Sequence, residues 1–249
     1  MPSSPFRIGA ALGLASGLGA VCVVPYLAVL LPELSEAPLP LWGVALVSGA
    51  QVTVIWTLVA TLGVAAGRVN DLGAPWIDAR LAGNPLAPPG LSTVLGAAAA
   101  GAVTAAVVAV LDAVWLLPRV TLIGEAPPVP GPLLGLVASL YGAVAEEVLV
   151  RLFMVSVLAW LLTRSRMPRR AALAVAVVLG AVAFGGLHLP AAGGVFVMSG
   201  WLVVRTVLLN GVLGTVFGAL YCRYGLELAM VGHLAADIVL HVVVPAVYG

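Results

Sequence analysis

Lysine is absent from this chain, and all eleven basic residues are arginine. Charged residues make up only 8% of the 249 residues, whereas 62% are apolar, and the mean hydropathy is +1.17. These values exclude an ordinary soluble domain, in which about a quarter of the residues are charged. A net charge of +1 excludes a nucleic-acid partner, because phosphate binding requires basic side chains clustered on an exposed face.

Cysteine is also scarce. Cys22 and Cys222 lie in or at the end of apolar runs, and no CxxC or Cys/His spacing is present. The sequence therefore lacks a disulfide framework and a zinc finger. The use of arginine without lysine, together with abundant Ala, Val, Gly and Leu, is typical of a GC-rich bacterial genome.

Long apolar runs are the main feature of the sequence. About 20 apolar residues suffice for a helix to cross the hydrocarbon core. Runs of this length occur at residues 8–31, 40–66, 91–117, 132–163, 171–189, 195–222 and 226–248. We therefore predict an all-α, polytopic transmembrane helix bundle that forms a single membrane domain over residues 1–249. Three helices and a short interfacial segment at 72–81 occupy residues 1–131.

The number of spans depends on residues 195–222. An internal Asn210-Gly211 and the polar Arg205 leave open whether this run is one helix or two, giving seven or eight spans. With seven spans, His188 ends its helix while His233 lies only about 10 Å into the last helix. The last helix must then sit deeply enough to bring these histidines level. Arg205 either extends toward the interface or pairs with Asp112.

Arginine placement predicts the orientation, since cytoplasmic loops carry an excess of basic residues. An N-terminus on the cytoplasmic side leaves Arg119 alone in the outer loops. It places eight arginines inside, namely Arg7, Arg68, Arg80, Arg164, Arg166, Arg169, Arg170 and Arg223. We therefore predict a multi-pass protein of the bacterial inner or plasma membrane.

Ionisable residues interrupt the fourth run, where Glu146, Glu147 and Arg151 lie near its middle. Each charge at the centre of a membrane helix costs about 2.5–3.5 kcal/mol, so such residues are rare unless they pair or have a function. Glu147 and Arg151 are four residues apart and can form an ion pair on one helix face. Glu146 is rotated by about 100° from Glu147 and needs a partner from another helix.

Two later runs supply such partners. The fifth run ends at His188, and the last carries His233, Asp237 and His241 at intervals of four residues, on one helix face. Glu146 with His188 and His233 can polarise a water molecule by general acid–base chemistry. Glu146, His188 and His233 also match a zinc site with an open position for water. The spacing does not separate these two chemistries, and His241 is interpreted as a packing or interfacial residue.

These residues resemble the motifs of a known family, the CPBP intramembrane proteases, which include prenyl-protein endopeptidases and bacterial Abi proteins. Its three motifs are Glu-Glu-xxx-Arg, Phe-xxx-His and His-xxx-Asn or His-xxx-Asp, on separate membrane helices. They match here, in order, Glu146, Glu147 and Arg151, then Phe184 and His188, then His233 and Asp237. The resemblance covers about residues 135–245 and identifies residues 132–249 as a catalytic core.

The resemblance implies an intramembrane endopeptidase that cleaves a membrane-associated or lipid-anchored peptide or protein. Glu146 with His188 would activate water, while His233 with Asp237 would stabilise the oxyanion or help to bind Zn²⁺. An ionised Asp237 accepts hydrogen bonds but donates none, so it is better suited to orienting neighbours or ligating a metal than to an oxyanion hole. CaaX cleavage itself is not implied, because a bacterial chain lacks an obvious prenylated substrate.

Other interpretations remain open at this stage. Glu147 and Arg151 also suit a purely structural ion pair. A non-catalytic bacteriocin-immunity or scaffold protein of the same family would keep the same polar residues. A proton-coupled transporter would also bury carboxylates and histidines, but the chain shows no internal repeat of broken helices.

Overall fold

The computed structural model describes residues 2–36 and 38–248. Within these ranges the regular structure is helical, apart from one isolated antiparallel bridge between Leu122 and Phe196. In chain order the helices are α1 (Pro5–Leu30), α2 (Leu41–Asn70), the short α3 (Pro75–Leu81), α4 (Leu91–Arg119), α5 (Pro132–Arg164), α6 (Arg169–Val195), α7 (Gly200–Tyr224) and α8 (Leu226–Val247). All but α3 are long and apolar enough to cross a membrane. The described residues therefore confirm a polytopic helical bundle and give seven spans.

The seven-span form follows from α7, which runs unbroken past Asn210 and Gly211. The amide of Asn210 donates a hydrogen bond to the carbonyl oxygen of Thr206 at 2.9 Å, so the helix itself satisfies part of this polar side chain. A break at this position is unnecessary, and the eight-span alternative is wrong.

The chain continues as a helix beyond His188. An α-helical segment, Arg169–Leu187, is followed directly by a second one, Leu189–Val195, and His188 lies at the junction. His188 is therefore not at the end of its span, in contrast to the prediction that this run stops at residue 189.

The segment predicted at 72–81 forms a shorter helix than expected. Its helix, α3, starts at Pro75, and a carboxylate oxygen of Glu227 accepts hydrogen bonds from the backbone N–H groups of Trp76 and Ile77, both at 2.9 Å. The first turn of a helix leaves its N–H groups without partners, and Glu227 satisfies two of them. The segment is thus attached to the start of α8.

Helix α8 also packs closely on α4. Gly101 lies against the backbone of Gly232, and a Cβ atom at Gly101 would collide with the Gly232 carbonyl group. Such contacts between small residues let membrane helices approach each other closely. Because Gly232 precedes His233, this contact fixes the depth and rotation of the histidine.

An ion pair joins α4 and α7. Arg205 donates two hydrogen bonds to the carboxylate of Asp112, both at 2.7 Å. Of the two alternatives for Arg205, pairing with Asp112 is therefore the one found. Two parallel N–H···O bonds are the strong form of this interaction, and they satisfy both charges within the bundle.

Candidate active site

The two glutamates lie where α5 departs from α-helical geometry. Between its α-helical ends, Pro132–Tyr141 and Ser156–Arg164, the helix has π turns at Gly142–Glu146 and Val148–Val155. A π turn widens the helix and is common at functional sites. The indole N–H of Trp56 on α2 donates to the carbonyl oxygen of Ala145 at 2.7 Å. This bond supports the backbone immediately before Glu146.

Glu147 and Arg151 form the ion pair that their spacing predicts. Arg151 Nη1 lies 2.8 Å from Glu147 Oε1, and both side chains are almost completely buried. That N–H group does not point along a hydrogen-bond direction, so the contact is mainly electrostatic. Arg151 Nη2 donates to the Gly214 carbonyl oxygen at 3.2 Å, and the guanidinium lies 4.7 Å from the ring centroid of Phe184.

His233 links this pair to the second glutamate. Its Nδ1 lies 2.8 Å from Glu147 Oε1, and a carboxylate only accepts, so Nδ1–H is the donor. The imidazole stacks on Phe217 at a centroid distance of 4.6 Å. Its Nε2 then faces two other carboxylates, Asp237 at 3.4 Å and Glu146 at 3.8 Å. The spacing within α5 does not indicate the Glu147–His233 contact, because it depends on how α5 and α8 pack.

Gly142 allows the third carboxylate to approach. A Cβ atom at this position would lie 2.8 Å from Asp237 Oδ2 and 3.8 Å from His233 Nε2. The absence of a side chain at Gly142 therefore leaves room for Asp237 beside the imidazole. Asp237 and Glu146 remain partly accessible, with 13% and 33% of their side chains exposed.

His188 stands apart from this cluster. Its Nδ1 lies 2.8 Å from the Phe184 carbonyl oxygen and donates to it. Among the described residues, no carboxylate oxygen lies within 4.0 Å of its ring nitrogens. The Phe184 ring lies between the two histidines, with centroids 4.7 Å from His188 and 6.0 Å from His233. Direct contact between His188 and Glu146 is thus absent, and a bridging water would be needed to connect them.

A partly open cavity of about 200 Å³ connects these groups. Its lining residues are Glu146, Phe184, His188, Asn210, Leu213, Phe217, His233, Asp237, Leu240 and His241. Liquid water occupies about 30 Å³ per molecule, so the cavity has room for several waters. Four of the six residues predicted as catalytic line it, and Glu147 and Arg151 lie behind His233. The sequence interpretation missed Asn210, and it placed His241 in a packing role although its side chain also borders the cavity.

The predicted zinc ligands are not drawn together as in a metal site. Zinc ligands at about 2.1 Å in tetrahedral geometry lie about 3.4 Å from one another. Glu146 and His233 are 3.8 Å apart, and His188 is more than 4.0 Å from the nearest described carboxylate. Across the described residues, no three His, Cys, Asp or Glu side chains form a group that would hold a metal ion.

Comparison with known proteins supports the motif assignment. Residues 128–239, slightly less than half of the chain, match the family model described as Rce1-like, type II CAAX prenyl endopeptidase Rce1-like. This segment contains all three motifs, and the match confirms the resemblance that they carry. No curated protein and no solved structure matches the chain. At the level of the family, the match supports an intramembrane endopeptidase of the CAAX type, and with the seven apolar helices it points to a multi-pass membrane protein.

Proposed function

We propose that this protein hydrolyses a peptide bond of a membrane-associated or lipid-anchored substrate, using a water molecule activated by Glu146 within the membrane. The observation that carries the proposal is the cavity lined by Glu146, His188, His233 and Asp237, from three different helices. Charged and polar groups inside the hydrocarbon region are costly, so they are rare unless they pair or have a function. The predicted orientation, with the N-terminus on the cytoplasmic side of a bacterial membrane, is part of the same proposal.

Glu146 is the general base in this mechanism. It takes a proton from water as the water oxygen bonds to the scissile carbonyl carbon, and the electron pair of the C=O bond moves to the carbonyl oxygen. The C=O bond then re-forms, the C–N bond breaks, and Glu146 returns the proton to the leaving amine. The products are a carboxylic acid and an amine, and no acyl-enzyme forms.

The other residues hold and tune this base. His188 has an uncommitted Nε2 that can accept a hydrogen bond from the water across the cavity. His233 faces both Glu146 and Asp237, and on its other side it donates to Glu147, which is paired with Arg151. The Glu147 bond and the Phe217 stack orient His233, and Glu146 lies 3.8 Å from its Nε2.

A charge-neutral substitution tests the proposal. Purified protein in liposomes is incubated with membrane-anchored peptides that carry a quenched fluorophore, and the product ends are identified by mass spectrometry. Glu146→Gln should abolish turnover and leave the unfolding temperature unchanged. Glu227→Gln is the matched control, because a glutamine oxygen can still accept from Trp76 and Ile77 outside the cavity.

The outcomes separate the competing functions. Cleavage by Glu146→Gln at the wild-type rate would rule out Glu146 as the base. The protein would be a scaffold or immunity protein if the wild type cleaves none of the peptides and the Glu146→Gln variant still protects cells. Loss of cleavage on chelation, restored by Zn²⁺ and accompanied by stoichiometric bound metal, would replace the metal-free mechanism with one that uses Glu146, His188 and His233 as ligands.

A further inference from the structure

Amide hydrolysis places negative charge on the substrate carbonyl oxygen, and this oxyanion requires hydrogen-bond donors about 2.7–3.1 Å away. Few groups in the cavity meet this need. Ionised Glu146 and Asp237 can only accept. His233 donates from Nδ1 to Glu147, and its Nε2 is nearest to Asp237 and Glu146. Its nitrogens are therefore already directed at carboxylates.

The other two histidines are no better suited. His188 donates from Nδ1 to the Phe184 carbonyl oxygen, so in the neutral ring Nε2 is an acceptor. His241 packs edge-on against Tyr26 with centroids 6.3 Å apart, and no hydrogen bond among the described residues orients its ring. An effective oxyanion donor is held in place before the reaction begins.

Asn210 is the neutral amide that lines this cavity. One N–H of its Nδ2 donates to the Thr206 carbonyl oxygen at 2.9 Å, which restrains the amide group on α7. An amide has two N–H donors, so the second remains for another acceptor. Its donor capacity does not depend on a proton being gained or lost, in contrast to the histidines.

From this arrangement we infer that Asn210 donates its second N–H to the oxyanion of the tetrahedral intermediate. The inference rests on the proposed peptide hydrolysis. During attack the carbonyl electron pair moves onto oxygen, where the Asn210 N–H stabilises it. When the C–N bond breaks, the pair returns to form C=O and the hydrogen bond weakens. Asn210 neither gains nor loses a proton in this cycle.

The competing explanation is structural, since a polar side chain on a membrane helix often bonds to its own backbone. Thr215 on the same helix does so, donating to the Gly211 carbonyl oxygen at 2.8 Å from an exposed position. Thr215→Val is therefore the matched control, because it removes the same kind of bond outside the cavity. Asn210→Ala and Asn210→Leu both remove the donor, and the leucine variant keeps the branched shape of the side chain with a somewhat larger volume.

Kinetics and inhibitor binding distinguish the two roles. Loss of one oxyanion donor should lower kcat by about 10²–10³-fold, with KM changing little. A peptidyl phosphinate, which carries an anionic tetrahedral centre, should bind at least about tenfold more weakly to the Asn210 variants than to the parent protein. The uncleaved peptide should bind equally to both, measured in a Glu146→Gln background. Thr215→Val should match the wild type in every measurement.

The inference is overturned if folded Asn210→Leu protein retains kcat within about threefold, or if its kcat loss comes without weaker phosphinate binding. If Asn210→Ala fails to fold, Asn210→Leu carries the test alone, because leucine favours a membrane helix. Failure of the proposed function has a different signature. In that case the wild type itself would neither cleave the peptides nor bind the phosphinate.

Discussion

Replacing Arg151 with methionine should destabilise the protein far more than removing both members of its ion pair. Arg151 and Glu147 have 1% and 0% of their side chains exposed, and Nη1 lies 2.8 Å from Oε1. Methionine is unbranched and fills much of the arginine volume, so the packing loss is small. The Glu147 carboxylate, however, would be left buried with only the His233 imidazole as its partner.

Breaking a buried pair by removing one partner typically costs about 3–5 kcal/mol, because an uncompensated charge remains. We expect Arg151→Met to fall in this range. In the double variant Glu147→Gln with Arg151→Met, a neutral amide oxygen still accepts from His233 Nδ1–H. Because no buried charge is left alone, the double variant should be more stable than the single one by at least about 1 kcal/mol.

The measurement is reversible unfolding in mixed micelles, followed by far-ultraviolet circular dichroism, with tryptophan fluorescence as a second probe. Free energies of unfolding for the wild type, both single variants and the double variant complete a double-mutant cycle. A cost below about 1 kcal/mol for Arg151→Met, or an equally unstable double variant, would refute this account of the pair. Either result would mean that water or lipid headgroups reach Glu147.

Two further predictions concern the helix contacts that position the site. Gly101→Ala should lower the free energy of unfolding by about 1–3 kcal/mol and reduce cleavage, since its methyl group would collide with the Gly232 carbonyl group. Gly96→Ala is the control and should be neutral, because a Cβ atom there would have no neighbour within 4 Å. Equal unfolding curves for these two variants would contradict the close α4–α8 contact. Trp56→Phe should lower the free energy of unfolding by about 1–3 kcal/mol, because the Ala145 carbonyl oxygen loses its donor. Trp42→Phe is the control, at a position that is 70% exposed, and it should unfold like the wild type. A neutral Trp56→Phe would mean that the π turn does not depend on this bond.

Local sequence patterns predict much of this fold. Seven apolar runs coincide with seven helices, because a membrane span requires only length and apolarity. The Glu147–Arg151 pair follows from four-residue spacing on one helix. Four of the residues that the motifs identify line one cavity. In each case the information lies within a single helix or in the resemblance to a family.

Features that depend on contacts between helices are not predicted. The π turns of α5 have no local signature, and one of them is supported by Trp56, 89 residues away from its bonding partner. Asn210 was interpreted only as a potential helix break, because its neighbour is glycine. Its place on the cavity wall depends on the rotation of α7 against α6 and α8. The Glu147–His233 bond likewise depends on how α5 and α8 align, and the residue pattern within a single helix does not predict that alignment.

The rings of Phe184 and Phe217 separate two electrostatic environments, the buried one of Arg151 and the partly exposed one of Glu146. Arg151 lies 4.7 Å and 5.2 Å from their centroids, sealed from the cavity, while Glu146 on the other side keeps 33% of its side chain exposed. In the proposed mechanism the guanidinium therefore acts as a constant background field, since water or peptide that enters the cavity does not contact it. A carboxylate that cycles between two protonation states then always returns to the same electrostatic starting point.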